Sequence, residues 1–149
     1  MVRRSTAALA GSLMILLALV GCASEDLDWD MTPADAVGPW KVVGLGGDGK
    51  LRLNSDGTFS ATDWPKGLCA PAVSTLGQLD PDRKVSFSGE YGFMDGAPYS
   101  VYLLPKDHSC EGITFYFWKG QDSQRRIQVD LIPADGSEPT ESVRLERAE

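Results

Sequence analysis

Few residues in this chain have the capacity for covalent or acid–base chemistry. There are three cysteines (Cys22, Cys69 and Cys110), one histidine (His108), and 21 carboxylates spread over 149 residues. His108 stands between Asp107 and Ser109, which supplies the three residue types of a nucleophilic triad. Consecutive side chains cannot converge as nucleophile, base and orienting acid, and no G-x-S-x-G elbow occurs, so the tripeptide reads as a loop. Asp80 and Asp82 form a carboxylate pair of the kind used in hydrolysis or calcium binding. Pro81 between them signals a turn instead, and no series of oxygen ligands follows. Gly44-x-Gly46-x-x-Gly49 has the spacing of a dinucleotide fingerprint. That motif needs a helix N-terminus to meet the pyrophosphate, whereas residues 50–54 read as a strand, so the glycines read as a turn. These readings point to a protein without catalysis, cofactor or metal.

The cysteines are more informative. Arg3 and Arg4 give a positive start, residues 7–20 carry no charge, and Ser24, Glu25 and Asp26 follow at once. This is the layout of an export leader, and the apolar run is too short to span a bilayer. Leu19-Val20-Gly21-Cys22 resembles the lipobox of bacterial lipoproteins. The resemblance implies cleavage before Cys22, acylation of its thiol, and a domain lipid-anchored to the cell membrane on the extracytoplasmic face. Residues 1–21 are then a signal peptide, 22–36 an acidic lipidated tether, and 37–149 a single domain. Loss of the leader leaves 128 residues, enough for one core. It removes two arginines and no acid, deepening the net charge from −7 to −9. Such a surface disfavours nucleic acid and leaves membrane attachment to the lipid. Outside the cytoplasm the remaining even pair, Cys69 and Cys110, reads as a disulfide.

The elements that must position these residues show period two and almost no helical period. Strand signals begin at Trp40 and recur at Leu51 and Leu53, Phe59, Val85 to Phe93, Tyr99 to Leu103, Ile113 to Phe117, Ile127 to Leu131, and Val143 to Leu145. Ser55-Asp56-Gly57 is expected to be a three-residue hairpin loop with Gly57 left-handed, because that register sets Leu53 opposite Phe59 and keeps the apolar residues on one face. The expected fold is all-β, a small antiparallel up-and-down barrel of about eight strands, with a two-sheet β-sandwich as the alternative. A meander puts the connections carrying Cys69 and Cys110 at one end, together with the 44–49 and 133–140 loops. The tether enters at the other end, so the long loops should face away from the membrane.

Gly38-Pro39-Trp40 resembles the G-x-W start of the lipocalins and calycins. The resemblance implies a Trp packed at the closed end under an Arg of the last strand, for which Arg147 has the matching parity. Leu51-x-Leu53-x-x-Asp56-Gly57-x-Phe59 after Trp40, with Ser88-Gly89-Glu90-Tyr91 further on, is similar to small exported lipoproteins of actinobacteria. That similarity spans most of the mature chain and implies a fold but no activity. The remaining candidates for binding are aromatic. Tyr91 and Tyr99 share the inward face with Phe115 and Phe117, while Tyr102, Tyr116 and Trp118 share the outward one, and Trp64 is expected in a lid over the open end. The functional expectation is a module binding a small apolar or amphipathic ligand. The alternative is an envelope protein-interaction or structural module with a filled barrel.

Overall fold

A computed structural model describes residues 26–45, 48–69 and 73–149. The leader 1–21 and Cys22 lie outside the described residues. Eight antiparallel strands follow one another as a meander: β2 (Gly38–Val43), β3 (Lys50–Leu53), β4 (Thr58–Pro65), β5 (Lys84–Met94), β6 (Ala97–Pro105), β7 (Ile113–Lys119), β8 (Arg125–Leu131) and β9 (Glu141–Arg147). Each pairs with the next, and β9 returns to β2 with Trp40 opposite Arg147 and Val42 opposite Leu145. The sheet is therefore a closed barrel, and the sandwich alternative does not apply. A two-residue strand, β1 (Asp26–Leu27), adds to the free end of β7. Among the described residues the helical content is the single turn α1 (Pro33–Ala36) and two 3-10 turns.

Alternation explains the interior. On β7, Ile113, Phe115 and Phe117 are buried while Thr114 is exposed, and on β8 Ile127, Val129 and Leu131 are buried between half-buried Arg126, Gln128 and Asp130. The 54–57 hairpin has the expected register, Leu53 opposite Phe59, with Gly57 at φ 81°. Rings fill the middle edge to face: Trp40 on Phe117 at 5.4 Å, Phe59 on Phe87 at 5.7 Å, and Phe115 on Phe117 at 5.7 Å. Gly89 makes room for this packing on β5. A Cβ there would stand 2.0 Å from the Leu104 carbonyl oxygen and 2.9 Å from the Phe59 ring.

The parity of β4 changes in mid-strand. Ala61 pairs with Phe87 and Trp64 with Val85, so Thr62 and Asp63 oppose Ser86 alone. This bulge places Asp63 at φ 51° and turns Trp64 inward. Trp64 is fully buried, edge-on to Phe87 at 6.3 Å, and so belongs to the core rather than to a lid.

The chain before the barrel also departs from expectation. Residues 26–36 were expected to be tether, yet they pack across the end of the barrel, with Met31 and Ala36 buried. Their acids explain why, since Asp28 and Asp35 both reach Arg125.

Candidate functional site

The two ends of the barrel are built differently. At the end where the chain enters, Thr32, Pro33 and Asp35 start a single helical turn. The Asp35 carboxylate accepts from the Thr32 amide at 2.9 Å and its hydroxyl at 2.6 Å. These bonds, with Arg125 and Arg147 nearby, hold the Asp35 pKa below the usual aspartate value. Arg125 donates Nε to Asp28 at 2.5 Å and Nη1 to Asp35 at 3.0 Å. Arg147 donates to the carbonyls of Val37, at 2.7 Å, and Asp35. Its guanidinium carbon lies 4.0 Å from the centroid of the Trp40 ring, and the Trp40 indole donates to Ala36 at 2.9 Å. Gly38 permits this stack. Its φ is 128°, and a Cβ would come within 2.6 Å of Arg147 Nη1. The Trp40–Arg147 stack closes the barrel axis at this end, and a surface depression of about 450 Å³ lies on its rim, lined by Asp26, Leu27, Asp28, Trp29, Asp30 and Lys119 to Gln121.

The opposite end carries the loops 44–49, 66–83, 106–112 and 132–140. The Cys69–Cys110 disulfide joins two of them, with Cα atoms 5.1 Å apart, and the Lys66 ammonium donates to the Ser109 carbonyl beside it. The turn Leu76–Gln78 is held by its own Thr75 and Gln78 and by the Glu141 carboxylate of β9, which accepts from the Leu76 amide at 2.5 Å. Between the 44–49 loop and this excursion lies a cleft of about 260 Å³. Leu45, Pro65, Leu76 and Leu79 form its apolar walls, and Asp63, Asp80 and Lys84 its polar rim. Asp80 is engaged in a turn, accepting from the Asp82 amide at 3.0 Å. Neither Asp63 nor Lys84 enters an ion pair among the described residues. A second depression of about 340 Å³, lined by Lys66, Val73, Gln78 and Arg83, shares Asp80 with the first.

The aromatic candidates do not meet in one place. Tyr91 packs half-buried against the core beside the 54–57 hairpin, its hydroxyl donating to the Asn54 carbonyl at 2.7 Å, and burial raises its pKa. Tyr99 carries the Trp29 ring at 4.5 Å and lies 6.5 Å from Tyr116. Trp118 lies opposite Leu27 of β1, so the docked N-terminal segment covers part of the outward patch. Tyr102 remains exposed across Gly92, with Leu104 next to it on the same face. The Asp107 to Ser109 stretch is a turn in which both the amide and the hydroxyl of Ser109 donate to Asp107, away from any triad geometry.

Several residues of both ends were not singled out from the sequence. Arg125 is 97 positions from Asp28 and 90 from Asp35, though Thr32-Pro33-Ala34-Asp35 is a local capping signature with Pro at the first helical position. Leu45, Leu76 and Leu79 lie in irregular loops where no period marks them. No protein-family model and no curated protein matches the chain.

Proposed function

We propose that this chain is a membrane-anchored, extracytoplasmic binding module without catalytic activity, held by lipid on Cys22 and binding a small amphipathic ligand at its loop end. One observation carries this reading. The interior is occupied by packed rings and aliphatic side chains, whereas the loop end presents a preformed cleft with four apolar walls, a free carboxylate and a free ammonium. Ligand sites are typically apolar concavities with a few placed polar groups, and this one lies just under the usual 300 Å³ lower bound. A ligand that buries an alkyl or small ring portion against Leu45 and Leu79 and offers a charged group to Asp63 or Lys84 fits the lining.

Native mass spectrometry of the domain from Ala23 onward, purified without reduction from its own host, tests the reading. A co-purified small molecule that is lost in Leu79→Glu supports it, and an empty domain whose surface instead retains a protein overturns it. The second reading, an envelope protein-interaction module, is favoured by the adjacent exposed side chains Tyr102 and Leu104 on the outer wall of β6. Tyr102→Ser with Leu104→Ser would then abolish partner retention while leaving the cleft intact.

A further inference from the structure

We propose that the chain-entry end of the barrel rests on the lipid bilayer, with the Trp29 indole seated among the headgroups. This rests on the lipid anchor proposed above, and goes beyond it by assigning an orientation and a contact residue. The docked N-terminal segment sets the distance. Only Ala23, Ser24 and Glu25 separate Cys22 from Asp26. Four Cα-to-Cα steps reach at most about 14 Å at roughly 3.3–3.6 Å per residue. Asp26 and Leu27 are fixed on β7 opposite Lys119 and Trp118, so the acylated residue cannot stand farther than this from the barrel wall. A flexible tether from residue 22 to 36 would hold this end toward the membrane only loosely, whereas the docked segment keeps it within about 14 Å of the acylated residue.

Trp29 lies three residues beyond Asp26. It is 61% exposed, although every other tryptophan in the chain is at least half buried. It is not loose, because its ring meets Tyr99 edge-on at 4.5 Å and its amide donates to the Leu27 carbonyl at 3.0 Å. Near the same rim Met94 is 50% exposed and accepts from the hydroxyl of Ser100, the neighbour of Tyr99. Indoles have an apolar body and one N–H donor, which suits them to the boundary between headgroups and water. The headgroup layer is on the order of 5–8 Å deep, within the reach of the short linker. Asp26 and Asp30 flank Trp29. Lys119 stands opposite Asp26 on β7, so acids outnumber bases around Trp29, and Trp29 sets the tilt of a domain that the acyl chains retain. The cleft at the far end then faces away from the membrane.

The test uses the full chain, made in a host that acylates lipoproteins and checked for the lipid adduct on Cys22 by mass. It is reconstituted in phosphatidylcholine vesicles carrying bromine on the upper acyl chain, and bromine quenches an indole it touches. Trp40 and Trp64 are fully buried, so their emission is shielded. The expected result is a blue-shifted emission with about a quarter or more of the total intensity quenched, and the loss of that quenching in Trp29→Phe. Acylated, vesicle-bound protein whose emission is unaffected overturns the orientation and leaves the anchor standing. Quenching that persists in Trp29→Phe overturns the assignment of Trp29. Protein with no adduct on Cys22 overturns the anchor and this proposal together.

Discussion

Reducing the Cys69–Cys110 bridge, with both sulfur atoms left in place, isolates the contribution of the covalent link from that of packing. The two cysteines are 41 positions apart. In the chain-entropy relation a loop of that length removes about 13 cal/mol/K from the unfolded chain, or about 4 kcal/mol at 25 °C. A domain of this size has an unfolding entropy near 0.26 kcal/mol/K, at about 2.1 cal/mol/K per residue, so the melting temperature should fall by about 15 °C. The native sheet should survive, because no strand pairing depends on the bridge, and the Lys66 ammonium still ties the same loops through Ser109. The assay is urea and thermal unfolding followed by far- and near-ultraviolet circular dichroism. The oxidised protein is compared with protein unfolded, reduced and refolded under reductant, with thiol content checked by mass. The denaturant slope should also rise as the unfolded chain loses its cross-link and exposes more surface. A stability loss below about 1 kcal/mol would refute the entropic reasoning. Loss of the near-ultraviolet signal under native conditions would refute the view that the bridge staples loops to a sheet already complete without it.

Three further perturbations address the packing and the chain-entry end. Gly89→Ala should cost about 3 kcal/mol or more in urea unfolding, since the new methyl meets Leu104 backbone at 2.0 Å and backbone cannot rotate away. Gly96→Ala, in a hairpin with open space around it, pays only for its positive φ and should cost less. Arg125→Met leaves the 2% exposed Asp28 without its cation. The loss should approach the low end of the 3–5 kcal/mol typical of a broken buried pair, because Arg125 itself is 29% exposed, and Asp28→Asn in the same chain should recover part of it. Acid should loosen residues 26–37 first. The Asp35 pKa is lowered, chiefly by the Thr32 hydrogen bonds, so its contribution is complete above the ordinary aspartate value of about 3.9 and is lost as pH falls through the depressed one. Hydrogen exchange at Asp28 and Asp35 amides should therefore accelerate below about pH 4 before that of β7, and equal acceleration of both would refute a separately docked segment.

The parts of the fold legible in the sequence are those fixed by local periodicity. Leu53 opposite Phe59, the left-handed Gly57, and the shared end of Cys69 and Cys110 all follow from counting residues in a period-two meander. Periodicity alone does not place Trp64. The bulge at Thr62 and Asp63 adds one residue to β4, and one residue of slip exchanges the inward and outward faces. The N-terminal segment reads as a tether because its acids look solvated when considered alone. Their partner Arg125 is 97 residues from Asp28 and 90 from Asp35, a separation no local pattern reports. The cleft was hidden similarly, since Leu45, Leu76 and Leu79 converge only when Glu141 of the last strand fixes the 66–83 excursion.

A barrel of eight short strands has an interior wide enough for side chains and little else, and here aromatic rings occupy it. Under the proposed binding role, recognition falls to the ends and the outer wall. The chain-entry end is committed to Arg125, Arg147 and the stacked Trp40, whose polar partners are all satisfied locally. The loop end differs in kind. Its excursions are tied covalently at Cys69, by charge-assisted bonds from Lys66 and to Glu141, and by the capping turn at Thr75. Described segments tied in this way lose less conformational entropy on binding, so under the proposed role a small cleft between them gains affinity that a mobile one of the same area would not. Asp63 sharpens the point. It is a non-glycine residue with φ 51°, held at the rim of that cleft by the bulge of β4, with a carboxylate that no cation of the described residues neutralises. Backbone strain of this kind persists only where surrounding structure enforces it. The bulge that turns Trp64 into the core is the same one that presents Asp63 to the cleft, so core packing and the polar rim are set by a single inserted residue.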